Sequence, residues 1–232
     1  MLRVEDLSVS YGSVQALEGV SFEVAKAGVL HGIIGPNGAG KSTLMDAITG
    51  RRKPTRGRVL VDGDDITNRT VAWRRRQGMS RSFQRTSIFP GLTVREQLEL
   101  VASELGEPNL DQIIDAFELR VVLDEPADSI AYGDQRRVDI ALAMIGQPKL
   151  MLLDEPAAGL STAETIALFE HLTVLVRQRG VTALVVEHDV DAVFRFCDDI
   201  TALDLGKLLV TGKPAAVRSD PRVICAYLGT AA

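Results

Sequence analysis

The sequence predicts an α/β fold in which a parallel sheet forms the core, joined by an antiparallel β subdomain and a helical subdomain. Three observations carry this reading. The first is Gly35-Pro36-Asn37-Gly38-Ala39-Gly40-Lys41-Ser42-Thr43, a complete G-x-x-x-x-G-K-[ST] phosphate loop between an apolar run and a helical stretch. The second is the alternation of buried-strand and helical patterns in the C-terminal half, which implies parallel strands with crossover helices. The third is strand-like alternation near the N-terminus, without intervening helix. Together they describe a phosphate-loop NTPase core.

Each element has its own signal. Residues 2–11 and 20–24 alternate as strands, and residues 58–61 before Asp62-Gly63 add another strand and a turn. Residues 29–34 are an apolar run that reads as a buried strand, and residues 41–50 follow as a helix. From Thr93 to Phe117 the pattern is helical. Val94, Leu98, Val101 and Leu105 recur at three to four residues, and Ile113, Ile114 and Phe117 follow after Pro108. Residues 134–146 form another amphipathic helix. Residues 150–153 read as a buried strand. Ser161 with Glu164 three residues on is a capping signal for a helix to about Arg179, ended by Gly180. Residues 182–186 are a further buried strand. Residues 200–205 and 207–210 flank Gly206 as a hairpin, and residues 221–228 form a last helix. The core and β subdomain thus occupy about residues 1–84 and 133–232, and the helical subdomain about 85–132.

Composition excludes several classes. At 232 residues and 46% hydrophobic, the chain carries enough apolar residues for a substantial core. Its apolar runs fall far short of the ~20 residues that span a bilayer. Met1 to Glu5 begin an alternating strand, which is not a secretory leader pattern. Cys197 and Cys225 form no metal-type or redox-type spacing, so a reduced cytosolic chain is expected. The net charge is −5 but uneven: residues 51–85 hold eleven Lys/Arg against three acids, +8 in all. Such a stretch suits nucleic acid or an anionic lipid surface, and equally a solvated face.

The phosphate loop names the ligand class. Gly35, Gly38 and Gly40 allow a tight turn that aims backbone N–H groups at phosphate oxygens. Pro36, Asn37, Ala39 and Thr43 complete the loop. Lys41 reaches the β- and γ-phosphates, Ser42 holds Mg²⁺, and the helix N-terminus faces the anion. The second chemical element is Leu150-Met151-Leu152-Leu153-Asp154-Glu155-Pro156, an apolar strand that delivers acids at its C-terminal end. Asp154 there is placed to ligate Mg²⁺, and Glu155 to orient or deprotonate the attacking water. A decoy, Arg120-Val121-Val122-Leu123-Asp124-Glu125-Pro126, follows a helix with little break and is not followed directly by one. Asp124 and Glu125 are therefore read as solvated surface acids.

Three further segments complete a pattern: Arg81-Ser82-Phe83-Gln84, Ile130-Ala131-Tyr132-Gly133-Asp134-Gln135-Arg136-Arg137, and Val186-Glu187-His188-Asp189. In this order and spacing the chain resembles, along its whole length, the ATP-binding subunit of ABC transporters. The resemblance implies ATP and Mg²⁺ as cofactors. It makes Tyr11 the aromatic that stacks on adenine and Gln84 the glutamine linking metal and water to the transmembrane partner. It makes residues 130–134 the signature loop, with Ala131, Gly133 and Asp134 facing nucleotide across a dimer. Residues 157–161 become the D-loop, and His188 the switch histidine at the γ-phosphate. Taken singly, Tyr11 also fits a turn aromatic, Gln84 an exposed loop residue, and His188 a satisfied histidine at a strand end. Ala131 stands where the family's signature normally has a serine.

Residues 78–84, the 88–94 segment Ile-Phe-Pro-Gly-Leu-Thr-Val, the signature loop and the terminal Ala226-Tyr227-Leu228-Gly229 resemble the branched-chain amino-acid importer group. That resemblance implies transmembrane permease subunits and a second ATPase subunit, copy or paralogue, in a head-to-tail dimer. It also implies a substrate-binding protein acting indirectly, and a peripheral position at the cytoplasmic face of the membrane. Urea, amide and aromatic-acid importers use similar subunits. A cytosolic ABC ATPase acting on nucleic acid draws support from the basic stretch, but the chain has neither a long coiled-coil insertion nor a second cassette. A phosphate-loop GTPase or kinase lacks an Asn-Lys-x-Asp motif here and leaves the signature and His188 unexplained.

Overall fold

The computed structural model describes residues 1–83 and 86–228. In chain order the strands are β1 (Leu2–Tyr11), β2 (Val14–Val24), β3 (Leu30–Ile34), β4 (Arg56–Val61), β5 (Asp64–Asp65), β6 (Met79–Ser82), β7 (Leu150–Asp154), β8 (Thr182–Val186), β9 (Asp199–Asp204) and β10 (Lys207–Gly212). The helices are α1 (Lys41–Thr49), α2 (Val71–Arg76), α3 (Val94–Leu105), α4 (Leu110–Ala116), α5 (Tyr132–Met144), α6 (Thr162–Arg179), α7 (Val190–Phe196), α8 (Pro214–Arg218) and α9 (Pro221–Leu228).

Two sheets result. One is antiparallel, in the order β2-β1-β4-β5. The other runs β10-β9-β3-β8-β7-β6. It is parallel except for the β9–β10 hairpin. Every residue of β3, β7 and β8 is buried, as expected of parallel strands covered on both faces. Helix α1 fills the space between the sheets. Its Leu44, Met45, Ala47 and Ile48 share one apolar cluster with Leu2, Leu7 and Val20 of the antiparallel sheet and with Ile33, Leu152 and Leu184 of the other. A second cluster covers the opposite face of the parallel sheet with α3 to α7.

Helix boundaries follow local chemistry. Thr93 and Glu96 form a reciprocal capping box on α3, and Ser161 and Glu164 form one on α6, while Gly180 ends α6 in the left-handed conformation. Helix α5 starts at Tyr132, two residues ahead of the expected Asp134. Five elements escape the sequence patterns: α2, α7, α8, β5 and β6. Strand β6 reads Met-Ser-Arg-Ser, polar at three of four positions, yet Ser80 and Ser82 are buried because β7 pairs alongside.

Part of the basic stretch is structural, while Arg51, Lys53, Arg56, Arg58, Arg69 and Arg76 are exposed. Arg74 is 2% exposed and donates to the carbonyls of Ala47, Ile48, Thr67 and Arg69, satisfying the C-terminal end of α1. Arg52 donates to Ser10 O, Arg75 donates to Ile145 O, and Arg81 is ion-paired. Cys197 is buried, Cys225 is exposed, and both are free thiols.

One buried titratable group makes the fold acid-sensitive. His31 in β3 is 1% exposed, with Nε2 2.8 Å from Thr201 Oγ1 and its ring stacked on Phe22 at 5.7 Å. Burial pushes its pKa from 6.5 down to about 4, against the opposite pull of Asp199. The unfolded chain therefore takes up this proton first, and the fold loses stability as pH drops from 6.5 towards about 4. We expect that loss to be on the order of 3 kcal/mol. Urea unfolding of the native chain and of His31→Gln should diverge across that pH interval. A constant difference between them would contradict the assignment.

Candidate functional site

The phosphate loop joins β3 to α1, so the burial of both elements fixes its place. Two glycines leave no room for a side chain. A Cβ on Gly35 would lie 2.3 Å from Leu203 O, and Gly40, at φ +100°, would place one 2.7 Å from Ala16 O. The cavity over the loop is lined by Asn37, Gly38, Ala39, Gly40, Lys41, Ser42 and Thr43, with Ala16, Glu155 and His188. Lys41 is folded onto the loop. Its Nζ donates to Gly35 O at 2.7 Å and to Pro36 O at 3.0 Å. Burial holds its ammonium below the ordinary lysine range, with Glu155 and then Asp154 pulling the other way. An anion entering the cavity would meet this cation, the backbone of the loop and the N-terminus of α1.

Strand β7 delivers Asp154 and Glu155 to the same end of the sheet. Glu155 sits at φ +52°, a conformation sparsely used by residues other than glycine, asparagine and aspartate. It is held there on three sides. Its N–H donates to Val186 O at 2.8 Å, its carbonyl accepts from the Arg136 guanidinium at 2.9 Å, and its Oε1 lies 2.8 Å from His188 Nε2. Glu155 is buried while the His188 side chain is 53% exposed, so the pair spans from interior to cavity.

Glu187 is an additional member that the sequence patterns do not single out. Its carboxylate accepts from Ala157 N at 2.6 Å and His188 N at 3.1 Å, tying the 157–161 loop to the histidine. Burial pushes its pKa up. Its signal in the sequence was an acid directly between a buried strand and His188. Asp154 Oδ2 is held by Arg81 Nη2 at 2.8 Å, a partner 73 residues away in the chain. With Ser42 it supplies hard oxygen donors, one hydroxyl and one carboxylate. Mg²⁺ typically completes such a set with phosphate oxygens and water.

Other expected residues fall elsewhere. Ala131, Tyr132, Gly133 and Asp134 start α5, away from the residues lining the phosphate-loop cavity. Ala131 is the N-cap, with no side-chain hydrogen bond to the helix. Gly133 borders a different depression with Leu160, Glu164 and Arg136, and Asp134 pairs with Arg137. Tyr11 ends β1, 44% exposed, with the Arg52 guanidinium 4.2 Å from its ring centroid. Gln84 lies outside the described residues. The decoy forms a 3-10 turn over Arg120–Val122. There the Asp124 side chain is 80% exposed beside Arg95, and Glu125 is exposed.

Comparison with known proteins shows the family. The sequence profile described as ABC transporter matches residues 17–158. That of the branched-chain amino acid ATP-binding cassette transporter matches residues 207–232. The chain is similar to the high-affinity branched-chain amino acid transport ATP-binding proteins BraF of Pseudomonas aeruginosa and LivG of Escherichia coli K12. Identity is 33% with BraF and 35% with LivG, over 100% of this chain and 98% of each relative. Its fold superposes on the ADP conformation of MJ1267, an ATP-binding cassette of an ABC transporter, with a TM-score of 0.88 at 32% identity. That match covers 99% of this chain and 98% of the other. The chain therefore belongs to the ABC transporter family, as an ATP-binding cassette subunit coupling ATP hydrolysis to transport.

Proposed function

We propose that this chain powers an importer of branched-chain amino acids, with Glu155 acting on the hydrolytic water over the phosphate loop. The observation that carries the chemistry is the Glu155–His188 pair at 2.8 Å beside Lys41. The cargo rests on the names of full-length relatives and on the C-terminal profile match. In this reading Lys41 exchanges the carbonyls of Gly35 and Pro36 for the β- and γ-phosphates of ATP, and Tyr11 stacks on adenine. Ser42, Asp154 and Gln84 would hold Mg²⁺, which offsets phosphate charge when bound. Glu155 orients the water and takes its proton at the carboxylate. His188, fixed through Glu155 and Glu187, faces the γ-phosphate. The left-handed backbone at Glu155, clamped by Arg136 and Val186, is the pre-organisation this role requires. We expect Glu155→Gln to lower turnover by about 10²–10⁴-fold while nucleotide binding persists. Glu125→Gln should leave turnover unchanged. The reverse pattern in a steady-state ATPase assay would assign the wrong acid.

The signature residues Ala131, Gly133 and Asp134 do not line their own chain's phosphate-loop cavity. A head-to-tail dimer, in which each loop covers the partner's nucleotide, makes use of both halves. ATP then drives closure because it binds the closed dimer better than the open one. Ala131 offers no hydroxyl to a phosphate. A hydrogen bond to a charged group contributes about 1.5–3 kcal/mol, so Ala131→Ser should tighten ATP-driven dimerisation by about tenfold to hundredfold at one site. Unchanged ATP dependence in the reconstituted complex would make Ala131 neutral.

The helical subdomain, about residues 85–132, borders a mainly apolar groove lined by Val71, Phe83, Phe89, Val101, Leu105 and Leu142. Phe89 is 48% exposed there. Among the described residues no helix is long and apolar enough to cross a membrane. We assign this groove to the permease subunits, which would hold the chain peripherally at the cytoplasmic face. A substrate-binding protein would act through those subunits. The internal use of Arg52, Arg74, Arg75 and Arg81 weakens the nucleic-acid reading. Coexpression with permease subunits should move the chain to the membrane fraction, and Phe89→Asp should return it to the soluble fraction. Salt-sensitive DNA binding with no membrane recruitment would overturn this placement.

A further inference from the structure

Arg81 occupies an unusual position for a cation. It is the third residue of β6, paired in register with Leu152 of β7, and its side chain is only 9% exposed. One end of its guanidinium donates to Asp154 Oδ2 at 2.8 Å. The other donates to Asp46 of α1 and reaches Thr49 Oγ1 at 3.3 Å. The Phe83 ring covers it, with its centroid 5.0 Å from the guanidinium carbon. Among the described residues, Arg81 is the only ion-pair partner of Asp154, whose own side chain is 9% exposed. A fixed, desolvated positive charge thus sits on the carboxylate that the proposed function gives to Mg²⁺.

We propose that Arg81 is an internal counter-cation that weakens the hold of Asp154 on the metal. This inference rests on the reading of Asp154 as a metal ligand. A divalent ion at that carboxylate would share it with a guanidinium that burial screens poorly, and two cations on one carboxylate repel each other. The benefit is twofold. Before nucleotide arrives, Asp154 is paired and not left as a buried bare charge. Afterwards, the metal is held chiefly by the phosphates it arrives with, so it departs with product. Asp46 sets the balance because it competes with Asp154 for the same guanidinium. Arg81 is therefore a positioning residue, acting on the metal through Asp154.

The experiment measures the Kd of adenylyl imidodiphosphate for the full chain with excess Mn²⁺ and again with EDTA. The ratio of the two reports how much the metal contributes, without turnover. Electron paramagnetic resonance of the bound Mn²⁺ and thermal unfolding are recorded alongside. A neighbouring charge shifts ion affinity at a carboxylate by about one to three powers of ten, so Arg81→Gln should raise the metal's contribution at least about tenfold. Arg81→Lys, which keeps a charge, should stay near the native ratio. Asp46→Asn frees Arg81 to lean on Asp154 and should lower the ratio. A fall or no change in Arg81→Gln overturns the proposal. If that variant does not fold, Asp46→Asn decides: a lower ratio supports the proposal, and an equal or higher one overturns it. Asp154→Asn separates the two readings. If its ratio and Mn²⁺ spectrum match those of the native chain, Asp154 is not a ligand and the underlying assignment fails, whatever Arg81 does.

Discussion

Helix α1 is buried from two sides, and the rest of the site depends on that constraint. One flank packs on the antiparallel sheet through residues such as Leu2 and Leu7, the other on the parallel sheet through Ile33 and Leu152. A helix held between two apolar layers has little freedom to tilt or slide. Its N-terminus must therefore open where β3 ends, and the phosphate loop has to close a gap that admits no Cβ at Gly35 or Gly40. The far end is equally constrained. Arg74 is buried against the last turn of α1 and donates to the Ile48 carbonyl and to the Ala47 carbonyl, which also accepts from Gly50 N–H. The anion-binding end is thus aimed by hydrophobic burial and anchored by one guanidinium.

The charged groups around the site follow a second logic. Arg81, Arg136, Asp139, Asp154, Glu155 and Glu187 are all largely removed from water, and each is engaged by another group. Arg136 reaches both Phe83 O, next to the Gln84 segment, and Glu155 O, so α5 is tied to both. Asp139, one turn further along α5, accepts from Ser87 N on the other side of that segment. Helix α5 therefore holds the backbone at Glu155, at Phe83 and at Ser87. Buried polar networks of this kind specify one geometry because leaving any member unpaired is costly.

Much of the molecule was legible in its residues. The phosphate loop, the buried strands β3, β7 and β8, the capping box at Ser161 and Glu164, the hairpin around Gly206 and the final helix all follow from local pattern. The differing placement of Asp154-Glu155 and its near-copy Asp124-Glu125 was also legible, since only the first pair follows a buried strand and precedes a capped helix. Local signals sufficed there because backbone sterics, capping and hydrophobic periodicity act within a few residues. By contrast β6, with Ser80, Arg81 and Ser82, carries no apolar period. It becomes a strand because β7 supplies its hydrogen bonds and α1 supplies the partner for its arginine.

The sequence by itself therefore determined the ligand class, the family and the order of most of the elements. Tertiary structure alone decided the state of the charges. Residues 51–85 read as a basic surface, yet folding turns Arg74 into a helix anchor and Arg81 into the partner of Asp154. Glu187, unremarkable in sequence, becomes the link between the 157–161 loop and His188. The reason is physical. A charge is read from one residue, but its energy depends on burial and on partners far along the chain, 73 residues apart for Arg81 and Asp154. Only the fold brings those partners together.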